Sequence, residues 1–128
     1  MKSNISMKNG TVKSGEFTYC RTPRVLKAYG SEYTIPVRTV EFEEKLKQAA
    51  NSISGTAAAS ASDTVLAIRE GISLFIGAEE TERIFPKEKL PELDVDEILL
   101  FWQALNFEMK QAQDELLSKY RPSAAVRR

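Results

Sequence analysis

Apolar residues recur at helical spacing through the last third of the chain. Asp94 and Glu97 precede them in the Asp-x-x-Glu arrangement of a capping box. The pattern predicts a long C-terminal helix from Asp94 to Tyr120 that packs along another helix. Its stripe, with successive steps of four, three, four, three and four residues, is Ile98, Trp102, Leu105, Met109, Ala112 and Leu116.

A second group of apolar residues on the same helix lies outside that stripe. Leu100 and Phe107 fall nearly opposite Ile98 when each residue advances by about 100°. Either both sides of the helix are buried within the monomer, or one side contacts a partner. For Leu100 and Phe107 the core and the interface are equally compatible with the pattern. The candidate partner-binding residues are Leu100, Phe101, Ala104 and Phe107.

Two amphipathic helices are predicted upstream. Thr39 is placed to cap the first, whose apolar positions are Phe42, Leu46, Ala49, Ala50 and Ile53. Asp63 is placed to cap the second, and Gly77 lies at its C-terminal end. The apolar positions of this helix are Val65, Ile68, Ile72, Phe75 and Ile76. The intervening residues 54–62 are compatible with a loop or with an Ala-rich continuation of the first helix.

Gly71 interrupts the second predicted helix. Glycine inside a helix costs about 1 kcal/mol relative to alanine. The residue therefore indicates either a close contact with another helix or a weakly stable stretch.

Short elements complete the predicted fold. Residues 24–29 and 32–37 flank Gly30-Ser31, and a two-residue loop that begins with glycine predicts a type II′ hairpin. A short helix over about residues 79–85 should end at Pro86, and Pro91 should keep the chain extended as far as Asp94.

The predicted organisation is a mainly α protein with an N-terminal β-hairpin and a long C-terminal helix. Residues 1–23 lack periodicity and are expected to form a flexible leader. Residues 24–120 are expected to form one helical domain, and residues 121–128 a disordered tail.

Composition argues against most catalytic chemistry. The chain has no histidine and one cysteine, Cys20, so no His-assisted nucleophile or intramolecular thiolate metal site is available. Its carboxylate pairs lie at predicted helix starts, where the helix dipole favours them. No glycine-rich phosphate loop is present. We therefore expect a protein that is not an enzyme and uses no cofactor or metal.

Charge and hydropathy limit the expected partners. Eighteen basic and eighteen acidic residues balance, and no basic block could follow a phosphate backbone. Residues 65–85 resemble a helix-turn-helix in outline, but the second helix is acidic where it would approach DNA. No apolar run is long enough for a membrane helix, and the polar start does not resemble a signal peptide. We expect an intracellular protein that binds neither nucleic acid nor membrane.

The order of elements resembles the tail assembly chaperones of long-tailed bacteriophages and prophages. The resemblance covers about residues 32–118 and rests on three short motifs: Phe75-Ile76-Gly77-Ala78-Glu79, Ile84-Phe85 and Leu93-Asp94-Val95. Pro86 departs from the family, where glycine is commoner, and residues 55–62 are unusually rich in Ala and Ser.

The resemblance implies a function and a set of partners. A protein of this family would bind the tape-measure protein, keep its long apolar helices soluble and recruit tail-tube subunits in the cytoplasm of the bacterial host. Independently of the resemblance, the second apolar side of the C-terminal helix predicts self-association at high concentration. The alternative from a different class is a small prophage-encoded regulatory or nucleic-acid-associated protein.

Overall fold

The computed structural model describes Gly15, residues 20–56 and residues 58–120. Most of the predicted leader and all of the predicted tail lie outside the described residues. The elements, in order, are β1 (Val25–Ala28), β2 (Ser31–Thr34), α1 (Val40–Gly55), α2 (Ala61–Ile76), α3 (Ala78–Ile84), a 3₁₀ helix (Lys87–Glu92) and α4 (Val95–Tyr120). This is the mainly α fold, with an N-terminal hairpin and a long C-terminal helix, that the sequence predicts.

The hairpin turn lies one residue earlier than predicted. β1 and β2 pair antiparallel with Ala28 opposite Ser31, so the loop is Tyr29-Gly30. The backbone angle φ is +52° at Tyr29 and +78° at Gly30, and positive φ at both central positions is the geometry of a type I′ turn. The predicted type II′ turn at Gly30-Ser31 is therefore wrong. Tyr33 is buried on the inner face of the hairpin, and this burial fixes the strand register. The register in turn decides which two residues form the loop.

The helix starts are set by hydroxyl caps. Thr39 caps α1 as predicted, because its Oγ1 accepts a hydrogen bond from the Phe42 N–H at 3.0 Å. α2 starts one turn earlier than predicted: Ser60 is its cap, and Asp63 lies in the first turn with its N–H donating to Ser60 Oγ. α1 extends to Gly55, which resolves the start of the Ala/Ser stretch as helix.

The segment between α3 and α4 is mainly the 3₁₀ helix. The predicted extended backbone from Pro91 to Asp94 is confirmed at Leu93 but is wrong for Pro91 and Glu92, which belong to the 3₁₀ helix. The Lys89 N–H donates to the Pro86 carbonyl, and the Leu93 N–H donates to the Leu90 carbonyl. Proline's φ suits such a turn, and Leu90 and Leu93 pack against the core. Tertiary packing overrides the local preference of a residue before proline for extended backbone.

The core is built around α2. This helix contacts α1 on one side and α4 on another, and α3 follows it after a break at Gly77, where φ is +93°. The most deeply buried large side chains are Ile68 and Ile72 of α2 and Ile98 and Leu105 of α4. The apolar side of α1 covers this core with partly buried residues, but Ala50 is exposed, contrary to its predicted place on that side.

At Gly71, the Trp102 ring of α4 lies directly against α2. A Cβ added at this position would lie 2.5 Å from Cζ3 and 2.8 Å from Cη2 of the Trp102 ring. Trp102 also contacts the Phe75 ring edge-on, with centroids 6.0 Å apart. Of the two explanations for Gly71, the close helix contact is therefore the observed one.

Gly71→Ala should destabilise the protein by about 1–3 kcal/mol, because the added methyl group overpacks the helix interface although alanine is the better helix former. Chemical denaturation would measure the loss. Gly55→Ala is the matched control, since a methyl group at that position would meet nothing within 4 Å. A Gly71→Ala protein as stable as Gly55→Ala would contradict the packing constraint.

Candidate functional site

The long helix α4 has one buried side, as its periodicity predicts. Ile98, Trp102, Leu105 and Met109 are buried against α2 and its neighbours, and Ala112 and Leu116 are half-buried. The side that faces away from this core is the candidate site.

Leu100, Ala104 and Phe107 form an exposed apolar stripe on α4. They are spaced by four and three residues, so they lie on one side of the helix. Leu100 is 63% exposed and Phe107 is 57% exposed, whereas Ala104 is half-buried between them. Both large side chains are thus available for contact in the monomer. We call these three residues the apolar stripe.

Phe101 is mostly buried beside this exposed surface. It is 6% exposed, and its ring makes an edge contact with the Tyr29 ring at 5.2 Å and a tilted contact with the Phe85 ring at 6.1 Å. The prediction of Phe101 as a partner contact is corrected: it is a core residue. The hairpin covers it, and helical spacing alone could not reveal where the hairpin packs.

Strand β1 lies antiparallel to α4 beside the apolar stripe. Near the start of β1, Arg24 binds Glu108 at 2.6 Å and Glu115 at 2.9 Å, and after its end Tyr29 donates its hydroxyl proton to Glu97 at 2.8 Å. A shallow groove of about 560 Å³ separates strand and helix. It is lined on the α4 side by Leu100, Phe101, Ala104 and the carboxylates Asp94, Asp96 and Glu97, and on the hairpin side by Leu26, Lys27, Ala28 and Tyr29.

Arg83 ties the hairpin to α3. Its Nη2 donates to the Tyr29 carbonyl, the Ser31 hydroxyl and the Tyr33 hydroxyl, each at 3.1–3.2 Å. The same guanidinium pairs with Glu80. Hydrogen bonds from Arg83 and then from Tyr33 hold the pKa of the Glu80 carboxyl below its ordinary value. This network holds one wall of the groove in place.

Carboxylates flank the N-terminal end of the apolar stripe. Asp94 Oδ1 accepts hydrogen bonds from the N–H groups of Asp96 and Glu97, which confirms Asp94 as the cap of α4. The Glu97 carboxylate binds Tyr29 instead of completing the predicted capping box. At the other end of the stripe, Lys110 forms an exposed pair with Asp114 at 3.6 Å.

Helical spacing predicts the apolar stripe but not the residues that position its surroundings. Arg24 and Arg83 reach partners on α4 and on the hairpin that are distant in sequence. Their sequence context is that of ordinary exposed cations, so no local signal identifies them.

The described residues contain no cluster of three or more His, Cys, Asp or Glu side chains that could hold a metal ion. No helix within the described part of the chain is both long and apolar enough to cross a membrane. What the site offers chemically is apolar contact area flanked by charges.

Comparisons with protein-family models, curated protein sequences and solved structures gave no match.

Truncation to alanine should distinguish the two phenylalanines of α4, Phe101 and Phe107, by their effects on stability. Phe101→Ala should lower the free energy of unfolding by about 3–5 kcal/mol, because it leaves a cavity beneath the hairpin. Phe107→Ala should change it by no more than about 0.5 kcal/mol, because the side chain is exposed. Urea denaturation followed by circular dichroism measures both; equal losses would contradict the assignment of Phe107 to the surface.

The Tyr29 phenol should make stability fall at alkaline pH. Burial, followed by the hydrogen bond to Glu97, raises its pKa above the ordinary value of 10.0. A raised pKa in the folded state stabilises the protein fully below the pKa of an unfolded tyrosine, and this contribution is lost as the pH rises toward the folded value. Tyr29→Phe should therefore lose less stability than the wild type between about pH 8 and pH 11. Denaturation experiments at the two pH values measure both proteins. Equal losses of stability in the wild type and in Tyr29→Phe would contradict this linkage.

Proposed function

We propose that this protein is a noncatalytic assembly chaperone of the tail assembly chaperone type, acting in the cytoplasm of a bacterial host on a long-tailed phage or prophage. It binds the tape-measure protein, shields its apolar helices from aggregation and helps to recruit tail-tube subunits. The observation that carries the proposal is the apolar stripe on the outer side of α4.

An exposed stripe of this kind suits a helical client. An amphipathic helix binds in a groove through apolar residues at spacings of three and four, and Leu100, Ala104 and Phe107 have that spacing. The groove between β1 and α4 widens this surface on one side. Leu100 and Phe107 would give up water-exposed apolar area on binding, which favours association.

The motifs behind the family resemblance fall at element boundaries. Gly77 separates α2 from α3, Phe85 ends α3, and Asp94 caps α4. Each therefore has a local structural role that fixes the order and spacing of the helices. These roles are compatible with the element order on which the proposed function rests.

Co-expression with the tape-measure protein encoded nearby tests the proposal. The wild-type chain should raise the soluble fraction of that protein and co-purify with it. Leu100→Ser combined with Phe107→Ser should lose both effects while keeping the melting temperature within a few degrees, because both side chains are exposed.

Leu117→Ser is the matched control. Leu117 is 53% exposed on the same helix, but it lies outside the apolar stripe. This variant should solubilise the tape-measure protein as the wild type does. A tape-measure protein that is no more soluble with the wild-type chain than without it would overturn the proposed function.

A further inference from the structure

We propose that the apolar stripe also binds the apolar stripe of a second copy of this chain, with the two α4 helices antiparallel and crossing near Ala104. This goes beyond the chaperone function and does not depend on it.

The apolar stripe is self-complementary. In a dimer with two-fold symmetry, residues at equal distances on opposite sides of the axis meet. Leu100 lies four residues before Ala104 and Phe107 lies three residues after it. An antiparallel pair therefore places each Leu100 against Phe107 of the second copy. The small side chain of Ala104 at the centre allows the helices to approach closely.

Opposite charges lie at the two ends of the apolar stripe. Asp96 is exposed near the start of α4, and no ion pair within the described residues involves it. Lys110 is exposed beyond the other end of the stripe. With about 100° between successive residues, Asp96 and Lys110 lie on the same flank of the stripe. The two ends of one helix therefore carry opposite charges on a shared flank.

Antiparallel pairing brings these charges together twice. Like flanks of the two helices meet across the two-fold axis, so Lys110 of each copy lies beside Asp96 of the other. In a parallel pair, by contrast, the two charged flanks would lie on opposite sides of the interface, so Asp96 and Lys110 of one copy would not meet their counterparts on the other. The charges thus select a second copy in one direction. Lys110 would exchange its long, exposed pair with Asp114 for this contact.

The dimer and the client complex would use the same surface in turn. A second copy covers Leu100 and Phe107 until a helix of higher affinity displaces it. The proposed client and the second copy are therefore alternatives at one site, and the dimer can be measured with the full chain alone.

Sedimentation velocity over a concentration series, extended to about 1 mM to include weak association, tests the dimer. The wild type should form dimers. Asp96→Lys and Lys110→Glu should each weaken dimerisation by roughly tenfold, because each creates two like-charge contacts across the interface. The double variant with both changes should recover most of the affinity, because it restores opposite charges with their positions exchanged.

Two controls separate this geometry from simpler explanations. Glu44→Lys alters the net charge as much as Asp96→Lys does but lies on the exposed side of α1, so it should dimerise like the wild type. Leu117→Ser should also dimerise normally, whereas Phe107→Ser should not. Circular dichroism checks that each variant is folded.

A wild-type chain that stays monomeric throughout the series would overturn the proposal. So would a double variant as weak as the single ones, or a Glu44→Lys variant as weak as Asp96→Lys. Solubilisation of the tape-measure protein by a strictly monomeric chain would overturn the dimer while leaving the chaperone function intact. A chain that dimerises but fails to solubilise the tape-measure protein would overturn the chaperone function while leaving the dimer intact.

Discussion

The contact between Gly71 and the Trp102 ring is the constraint on which the helical core depends. Because Gly71 has no side chain, the indole ring can lie directly against α2, and the two helices approach closely along their buried stripes. Phe75 makes a T-shaped contact with the same ring, and Phe42 of α1 makes a T-shaped contact with Phe75. The packing of α1 is thereby linked to that of α4 through a chain of aromatic contacts across α2.

The orientation of α4 decides which of its residues remain available. With Trp102 turned toward α2, Phe101 turns toward the hairpin, where Tyr29 and Phe85 bury it. Leu100 and Phe107 are left on the outer side. The candidate binding surface is therefore what remains of an apolar helix after the core and the hairpin have covered two of its sides.

The hairpin is positioned by polar contacts at both ends. Arg24 holds the start of β1 to α4, and Arg83 holds the turn and β2 to α3. Exposed ion pairs contribute little individually, so the aromatic contacts beneath the hairpin must supply most of its docking energy. The arginines chiefly set its direction and thereby define the groove beside the apolar stripe.

By itself, the sequence determined the helical class, the Thr39 and Asp94 caps and the buried side of α4 that begins at Ile98, because each depends on residues within one or two turns of each other. Capping and periodicity are local. The tertiary structure decided the hairpin turn, the 3₁₀ segment after Pro86 and the burial of Phe101, because these depend on contacts between residues far apart in the chain. Leu100 and Phe107 depend on both. Helical spacing places them away from the buried side of α4, but their exposure follows only from where the hairpin packs.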